Sequence, residues 1–232
     1  MEILPIAYFR SPLKSKFGIP RQSGLADSLT GSIDFAPPFR RMEALRGIED
    51  FDYLWLIWEF SANHQHPSPN TQHPNLTVRP PRLGGNRRMG VFATRSPFRP
   101  NRLGLSCVRF DRIEEHPDLG PLIYVKGADL MDGTPIYDIK PYLPYVDSHP
   151  EARGGFTDQH SWNELQVELP DELNRVLLPA DVQVLKKLLS LDPRPHYHTD
   201  EEKVYGMPFK GYDIRFRVSD GVLRVEKWEI LK

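Results

Sequence analysis

The chain has 232 residues, of which 39% are hydrophobic and 11% aromatic, and its 30 basic and 31 acidic side chains leave a formal charge of -1. That composition excludes a disordered chain and leaves room for one large or two modest domains with real cores. A single cysteine, Cys107, excludes an intramolecular disulfide and a thiolate metal cluster. No basic-then-apolar leader opens the chain and no run approaches roughly 18 apolar residues, so the expectation is a cytoplasmic protein with no membrane association.

Residues 4–10 read as a first strand, ended by Ser11-Pro12. Residues 14–25 are polar and carry Gly18, Pro20 and Gly24, so they read as a loop, with Arg21-Gln22 offering donors and an amide. Met42, Leu45 and Ile48 recur at helical spacing and predict one short helix. Residues 53–60, YLWLIWEF, predict a strand buried on both faces or close to it.

Residues 61–78 have no period and hold His64, His66 and His73. A metal site is conceivable there, but no fourth ligand of suitable type lies in the window, and His196 and His198 share the weakness; no metal is expected. The next stretch is the most unusual in the chain. Residues 79–102 hold seven arginines and no carboxylate, and residues 60–110 still lack any Asp, Glu or Lys. The wider window carries +8, leaving -9 for the remaining 181 residues. Such segregation points to a surface for an anion, and arginine without lysine points to bidentate recognition of phosphate or carboxylate. Short strands follow at 90–93, 105–110, 122–125 and 136–139, with turns at His116–Gly120 and Asp132-Gly133. This spacing predicts an all-β barrel or sandwich over residues 1–150, not βαβ units. Cys107, in an apolar run, reads as a buried structural thiol.

Residues 147–158 look like a linker, and an α+β unit follows over residues 160–232. In it, 164–169 read as a strand. Leu173, Val176 and Leu177, then Val182, Leu185, Leu188 and Leu189, read as helices broken near Pro179 and stopped by Asp192-Pro193. Residues 203–208, 212–218 and 222–230 alternate as strands around the Asp220-Gly221 hairpin signal. The motifs of Rossmann enzymes, P-loop NTPases, zincins and α/β-hydrolases are absent. The residues alone lead to a mainly β protein whose arginine surface binds RNA or another polyanion; they identify no methyl donor.

GVFATRSPFRPNRLGLS, residues 90–106, resembles the signature of the TsaA-like family, whose bacterial full-length members are TrmO tRNA methyltransferases. The family pattern reads GxFATRSPxRPNPIGLS, so Arg102-Leu103 stands in place of Pro-Ile. SPLKSKFGIPRQSGLA at 11–26 and DLMDGTPIYDIKPYLPYVDS at 129–148 match in the same order. The resemblance implies a β-barrel methyltransferase that takes S-adenosyl-L-methionine and methylates N6 of threonylcarbamoyl-adenosine at position 37, beside the anticodon of threonine tRNA. Carried over by motif, the donor-binding positions are Pro20, Arg21, Gln22, Ser61, Ala62, Arg95, Leu105, Asp129, Leu130, Met131 and Asp132. In many relatives the strand equivalent to 53–60 runs on into Phe-His; here Ser61-Ala62 stand there, with His64 just beyond. Candidate RNA contacts are Arg87, Arg88, Arg99, Arg102 and Lys140. Asp138 and Lys140 allow two readings, an ion pair or a site-lining pair. No catalytic residue is assigned, although Asp138 and Asp132 are candidate bases. The implied partner is a tRNA anticodon stem-loop, and the implied assembly a homodimer. The alternative is a non-catalytic RNA-binding barrel, which needs aromatics among its basic groups; the arginine window offers only Phe92 and Phe98, which weakens that alternative.

Overall fold

The computed structural model describes residues 3–63, 76–84, 87–159, 163–195 and 200–231. The described part is mainly β, in two hydrophobic clusters. Strands β1 (Ala7–Arg10), β2 (Thr30–Phe35) and β3 (Tyr53–Glu59) precede a two-stranded ribbon of β4 (Thr77–Val78) and β5 (Met89–Gly90). Then come β6 (Leu103–His116), β7 (Gly120–Lys126) and β8 (Pro135–Pro141). The order β1-β2-β7-β6-β3-β8 closes on itself, because β8 pairs antiparallel with both β3 and β1. Closure removes sheet edges, and alternate residues of each strand fill the interior.

β3 shows that alternation. Leu54, Leu56 and Trp58 enter the core, while Tyr53, Trp55 and Ile57 face outward. The prediction of burial on both faces is corrected: the outward side chains are apolar but remain partly exposed. β6 is far longer than its predicted six residues, and a bulge between Phe110 and Arg112 bends it onto β7. The helix expected around Met42 is two 3-10 turns, Met42–Leu45 and Ile48–Asp50, divided by Gly47 at φ 86°. The strand expected at 90–93 splits into β5 and a 3-10 turn, Val91–Ala93.

β2 escaped the sequence pattern because TGSIDF carries a glycine and an acid inside the strand. Both have a structural reason. A Cβ on Gly31 would lie 2.1 Å from the Phe9 ring, so the glycine makes room for a core aromatic. Buried Asp34 accepts from Arg10 at 3.1 Å and lies 3.6 Å from Arg40.

Helix α1 (Pro144–Asp147) ends at the first residue of the predicted linker, which itself holds a 3-10 turn, Gly155–Thr157. The remainder comprises β9 (Gln166–Glu168), α2 (Asp171–Val176), α3 (Pro179–Ser190), β10 (Tyr205–Phe209), β11 (Tyr212–Ser219) and β12 (Val222–Ile230). The sheet runs β10-β11-β12-β9, with β9 parallel to β12. Asp220 and Gly221 both have positive φ, as the predicted two-residue hairpin requires. Lys210-Gly211 makes the same turn between β10 and β11 without the usual Asn or Asp.

The C-terminal cluster, built on Leu185, Leu189, Met207, Phe216 and Leu223, also contains Leu13, Ala26 and Leu29. These three lie between β1 and β2, within the segment expected to belong to the barrel alone. They are at most 2% exposed. Phe17 adds to this packing, stacking on Tyr205 and Phe216.

Candidate active site

A cleft of about 2400 Å³ opens where the 14–25 loop, the ends of β3 and β6, the arginine-rich loops and the end of α3 meet. Eight cationic and four acidic side chains line it, so its field favours an anion. Three of the acids are committed elsewhere: Glu59 lies 3.7 Å from Arg102 and accepts from Tyr137 at 2.6 Å, Glu164 pairs with Lys187, and Asp192 with Arg194. Burial and then Glu59 push the Tyr137 hydroxyl up to about 12, so it stays a donor.

The fourth acid, Asp129, forms part of the cleft floor. Its Oδ1 accepts from the Ser106 hydroxyl at 2.5 Å, the Ser23 amide also donates to it, and Arg95 acts on it electrostatically. Burial raises the Asp129 carboxyl above its ordinary value, and these partners oppose that rise without cancelling it. Arg95 in turn donates to Gln22 at 2.6 Å. Three sequence blocks far apart in the chain thus meet through Gln22, Arg95 and Asp129. Pro20, Arg21, Ser61, Ala62, Leu105 and Met131 line the same cleft.

Two expected donor-site residues lie elsewhere. Leu130 is fully buried in the barrel core, because its side chain points inward from the loop before β8. Asp132 faces a separate depression of about 550 Å³, where it accepts from the Ser11 amide at 3.0 Å and from Lys14 at 2.6 Å. Burial alone would raise the Asp132 carboxyl, but Lys14, the Ser11 amide and Arg10 together hold it below its ordinary value. It ties the 129–134 turn to the chain leaving β1. Arg21 reaches the cleft wall, yet its guanidinium donates to the Asp192 and Arg194 carbonyls at 3.2 and 3.3 Å, just past α3.

The candidate RNA residues also separate. Arg88, Arg99 and Arg102 line the cleft; exposed Arg87 and Lys140 do not. Arg99 donates to the Thr94 and Ser96 carbonyls and so braces its own loop, and Arg88 donates to Thr77. Lys140 pairs with Asp138 at 2.8 Å, the ion-pair arrangement of the two, and neither side chain lines the cleft. Exposed Phe92 and Phe98 stand beside the arginines on the cleft wall. Cys107 is half-buried on the outer face of β6 rather than in the core, and burial, with Asp147 adding, raises its thiol. Reasoning from sequence missed Ser106 and Trp58, whose signal lay inside the quoted GLS motif and the apolar run of β3.

His64, His66, His73, His196 and His198 lie outside the described residues. Among the described residues, no group of three or more metal-ligating side chains comes together, and no helix is long and apolar enough to cross a membrane.

Residues 8–148 match the model of the tRNA-methyltransferase O N-terminal domain, and residues 162–229 that of the TrmO C-terminal domain. The chain is 40% identical over 228 residues to the tRNA (adenine(37)-N6)-methyltransferase of Escherichia coli K12, covering 95% of this chain and 94% of that one. It is 39% identical over 221 residues to a Pseudomonas aeruginosa protein whose description is that of an S-adenosylmethionine-dependent methyltransferase, covering 92% and 91%. The crystal structure of TrmO from Pseudomonas aeruginosa superposes with a TM-score of 0.74 at 31% identity, over 99% of this chain and 98% of that one.

Proposed function

Since the chain belongs to the tRNA-methyltransferase O family, we propose that it is an S-adenosylmethionine-dependent tRNA (adenine-N6)-methyltransferase acting in the cytosol on N6 of threonylcarbamoyl-adenosine at position 37 of threonine tRNA. The observation that carries this reading is the meeting of Gln22, Arg95 and Asp129 on the floor of a cleft with an arginine-rich wall. The residues fit the donor. Arg95 and Gln22 suit its carboxylate, Asp129 suits its cationic end, and Leu105 and Met131 offer apolar contact. Ser61, Ala62 and Pro20 complete the lining.

When bound, the donor supplies an electrophilic methyl group on a sulfonium. The acceptor nitrogen is attached to a carbonyl, so it is a poor nucleophile but comparatively acidic, and transfer requires in-line approach and loss of one proton. Of the two carboxylates considered as bases, Asp138 is paired with Lys140 and Asp132 faces the other depression. This leaves orientation by the cleft as the main contribution of these residues. Nucleotide 37 lies in a single-stranded loop, so extruding its base costs little, and we assign the flanking phosphates to Arg87, Arg88, Arg99 and Arg102. Phe92 and Phe98 offer faces on which a base stacks. We further propose that the active form is a homodimer and that residues 160–232 help to select the tRNA.

Nucleoside analysis of tRNA from a strain lacking this protein tests the reading. The expected result is loss of N6-methylated threonylcarbamoyl-adenosine with the unmethylated nucleoside retained. An unchanged profile would overturn it.

A further inference from the structure

The Trp58 indole lies inside the barrel and donates to the Ser106 Oγ at 2.9 Å, in a buried contact. An indole N–H has no acceptor capacity, so the Ser106 oxygen must accept, and the hydroxyl proton is left to donate onward. It donates to Asp129. The direction of the whole hydrogen-bond relay is therefore set at its buried end. The backbone makes space for it, since a Cβ on Gly104 would lie 2.3 Å from the Trp58 ring. Trp58 is held further by Phe60, whose ring centroid is 4.4 Å away.

We propose that Trp58 and Ser106 are positioning residues for methyl transfer: the indole commits the Ser106 proton to Asp129, and this hydrogen bond aims the carboxylate into the cleft at the cationic end of the methyl donor. The inference rests on the reading that the donor occupies this cleft. It adds to that reading two buried side chains, Ser106 behind the cleft lining and Trp58 at its edge. A carboxylate without this donor is free to rotate, and it is a poorer partner for a cation because it protonates more easily. The other groups acting on Asp129 are its own backbone amide, the Arg95 guanidinium, from the loop after Val91–Ala93, and the Ser23 amide, from the 14–25 loop. All three favour the anion, as Ser106 does. Removing Ser106 thus shifts protonation of Asp129 upward in pH.

The test has two arms on the full-length protein. In the first, the indole resonances of the four tryptophans are followed against pH by NMR without donor, with Trp58→Phe assigning the signal. The Trp58 resonance is expected to follow titration of Asp129 and to become flat in Asp129→Asn. In the second arm, S-adenosylmethionine is titrated calorimetrically into wild type, Ser106→Ala, the near-isosteric Ser106→Cys and Ser106→Thr. Ser106→Ala and Ser106→Cys are expected to bind about tenfold more weakly, as befits loss of a hydrogen bond to a charged group. Their loss of affinity on acidification should begin at higher pH than in wild type, and Ser106→Thr should restore both. Ser106→Cys stands in if Ser106→Ala does not fold. A Trp58 resonance indifferent to Asp129, or a Ser106→Cys donor affinity and pH profile equal to wild type, overturns the inference. If wild type binds no donor, the proposed function fails, while the indole titration still decides whether the relay exists.

Discussion

The two hydrophobic cores are built differently. The barrel core, with Phe9, Ile33, Leu54, Leu56, Val108 and Ile123, is filled mostly from its own strands, with Leu45 and Leu130 added from adjoining turns. The C-terminal core combines one sheet with α2 and α3 and draws Leu13, Ala26 and Leu29 from the segment between β1 and β2. That segment also carries Gln22 and Ser23, which reach Arg95 and Asp129. Arg21 bonds to carbonyls just past α3. The wall of the cleft is therefore anchored in the C-terminal unit, although Arg95 and Asp129 belong to the barrel side. A unit proposed to select tRNA is also placed to position the loop that carries Gln22 and Ser23.

The strongest way to break this contrast is to remove residues 159–232. The barrel strands should keep their hydrogen-exchange protection, because their core is self-contained, whereas residues 11–29 should lose it. Donor titration should then show severe loss of affinity. Full affinity in a folded truncated protein would mean that the loop does not depend on the C-terminal core.

Single cavities sharpen the contrast. Leu13→Ala should cost about 2–5 kcal/mol, like other buried leucine truncations, and chemical denaturation followed by Trp228 should report it. Trp228 packs against the C-terminal cluster. Leu54→Ala should cost a similar amount, about 2–5 kcal/mol, but act on the barrel. Equal perturbation of both clusters by Leu13→Ala would argue for one cooperative unit.

A smaller effect is expected from Arg21→Ala, which removes two partly buried hydrogen bonds to carbonyls. A loss of about 1 kcal/mol is expected, with a higher donor KM and little change in kcat. A fall in kcat at constant KM would instead give Arg21 a role at the reacting atoms. On the RNA side, Arg87→Ala combined with Arg88→Ala should flatten the salt dependence of tRNA binding by about one unit for each phosphate left without its arginine.

The smallest expected effect concerns acid stability. The folded-state carboxyl of Asp132 lies below its ordinary value, so its stabilising contribution is present above the unfolded value and is lost as pH falls through the folded one. Asp132→Asn should therefore lower stability slightly near neutrality and converge with wild type in acid. Its donor affinity should stay close to wild type, since the residue faces away from the cleft.

Much of the outline was legible in the sequence. The apolar runs of β3 and β7, the alternation of β12 and the Asp220-Gly221 turn are local signals, and local patterns survive folding when nothing competes with them. β2 was illegible because Gly31 and Asp34 make sense only beside Phe9, Arg10 and Arg40. The single helix expected near Met42 failed at Gly47, where a left-handed φ divides it. In the site, residues carried over by motif gathered where backbone and side chain agreed, as at Gln22, Arg95 and Asp129. Motif position does not state which way a side chain points. Leu130 went into the core and Asp132 to the opposite side, though both neighbour cleft residues in the chain.

The β-rich architecture, the segregation of eight arginines into one carboxylate-free window and the kinship with tRNA methyltransferases are properties of the sequence alone. Each is set by composition, period or local wording, which need no partner to be read. It took the folded chain to establish that Leu13, Ala26 and Leu29 complete the C-terminal core and that Arg21 holds the end of α3. The same holds for the hydrogen bonds that run from Trp58 through Ser106 to Asp129. Those are contacts between residues distant in the chain. Their existence depends on closure of the barrel and on the burial that makes each polar group find a partner.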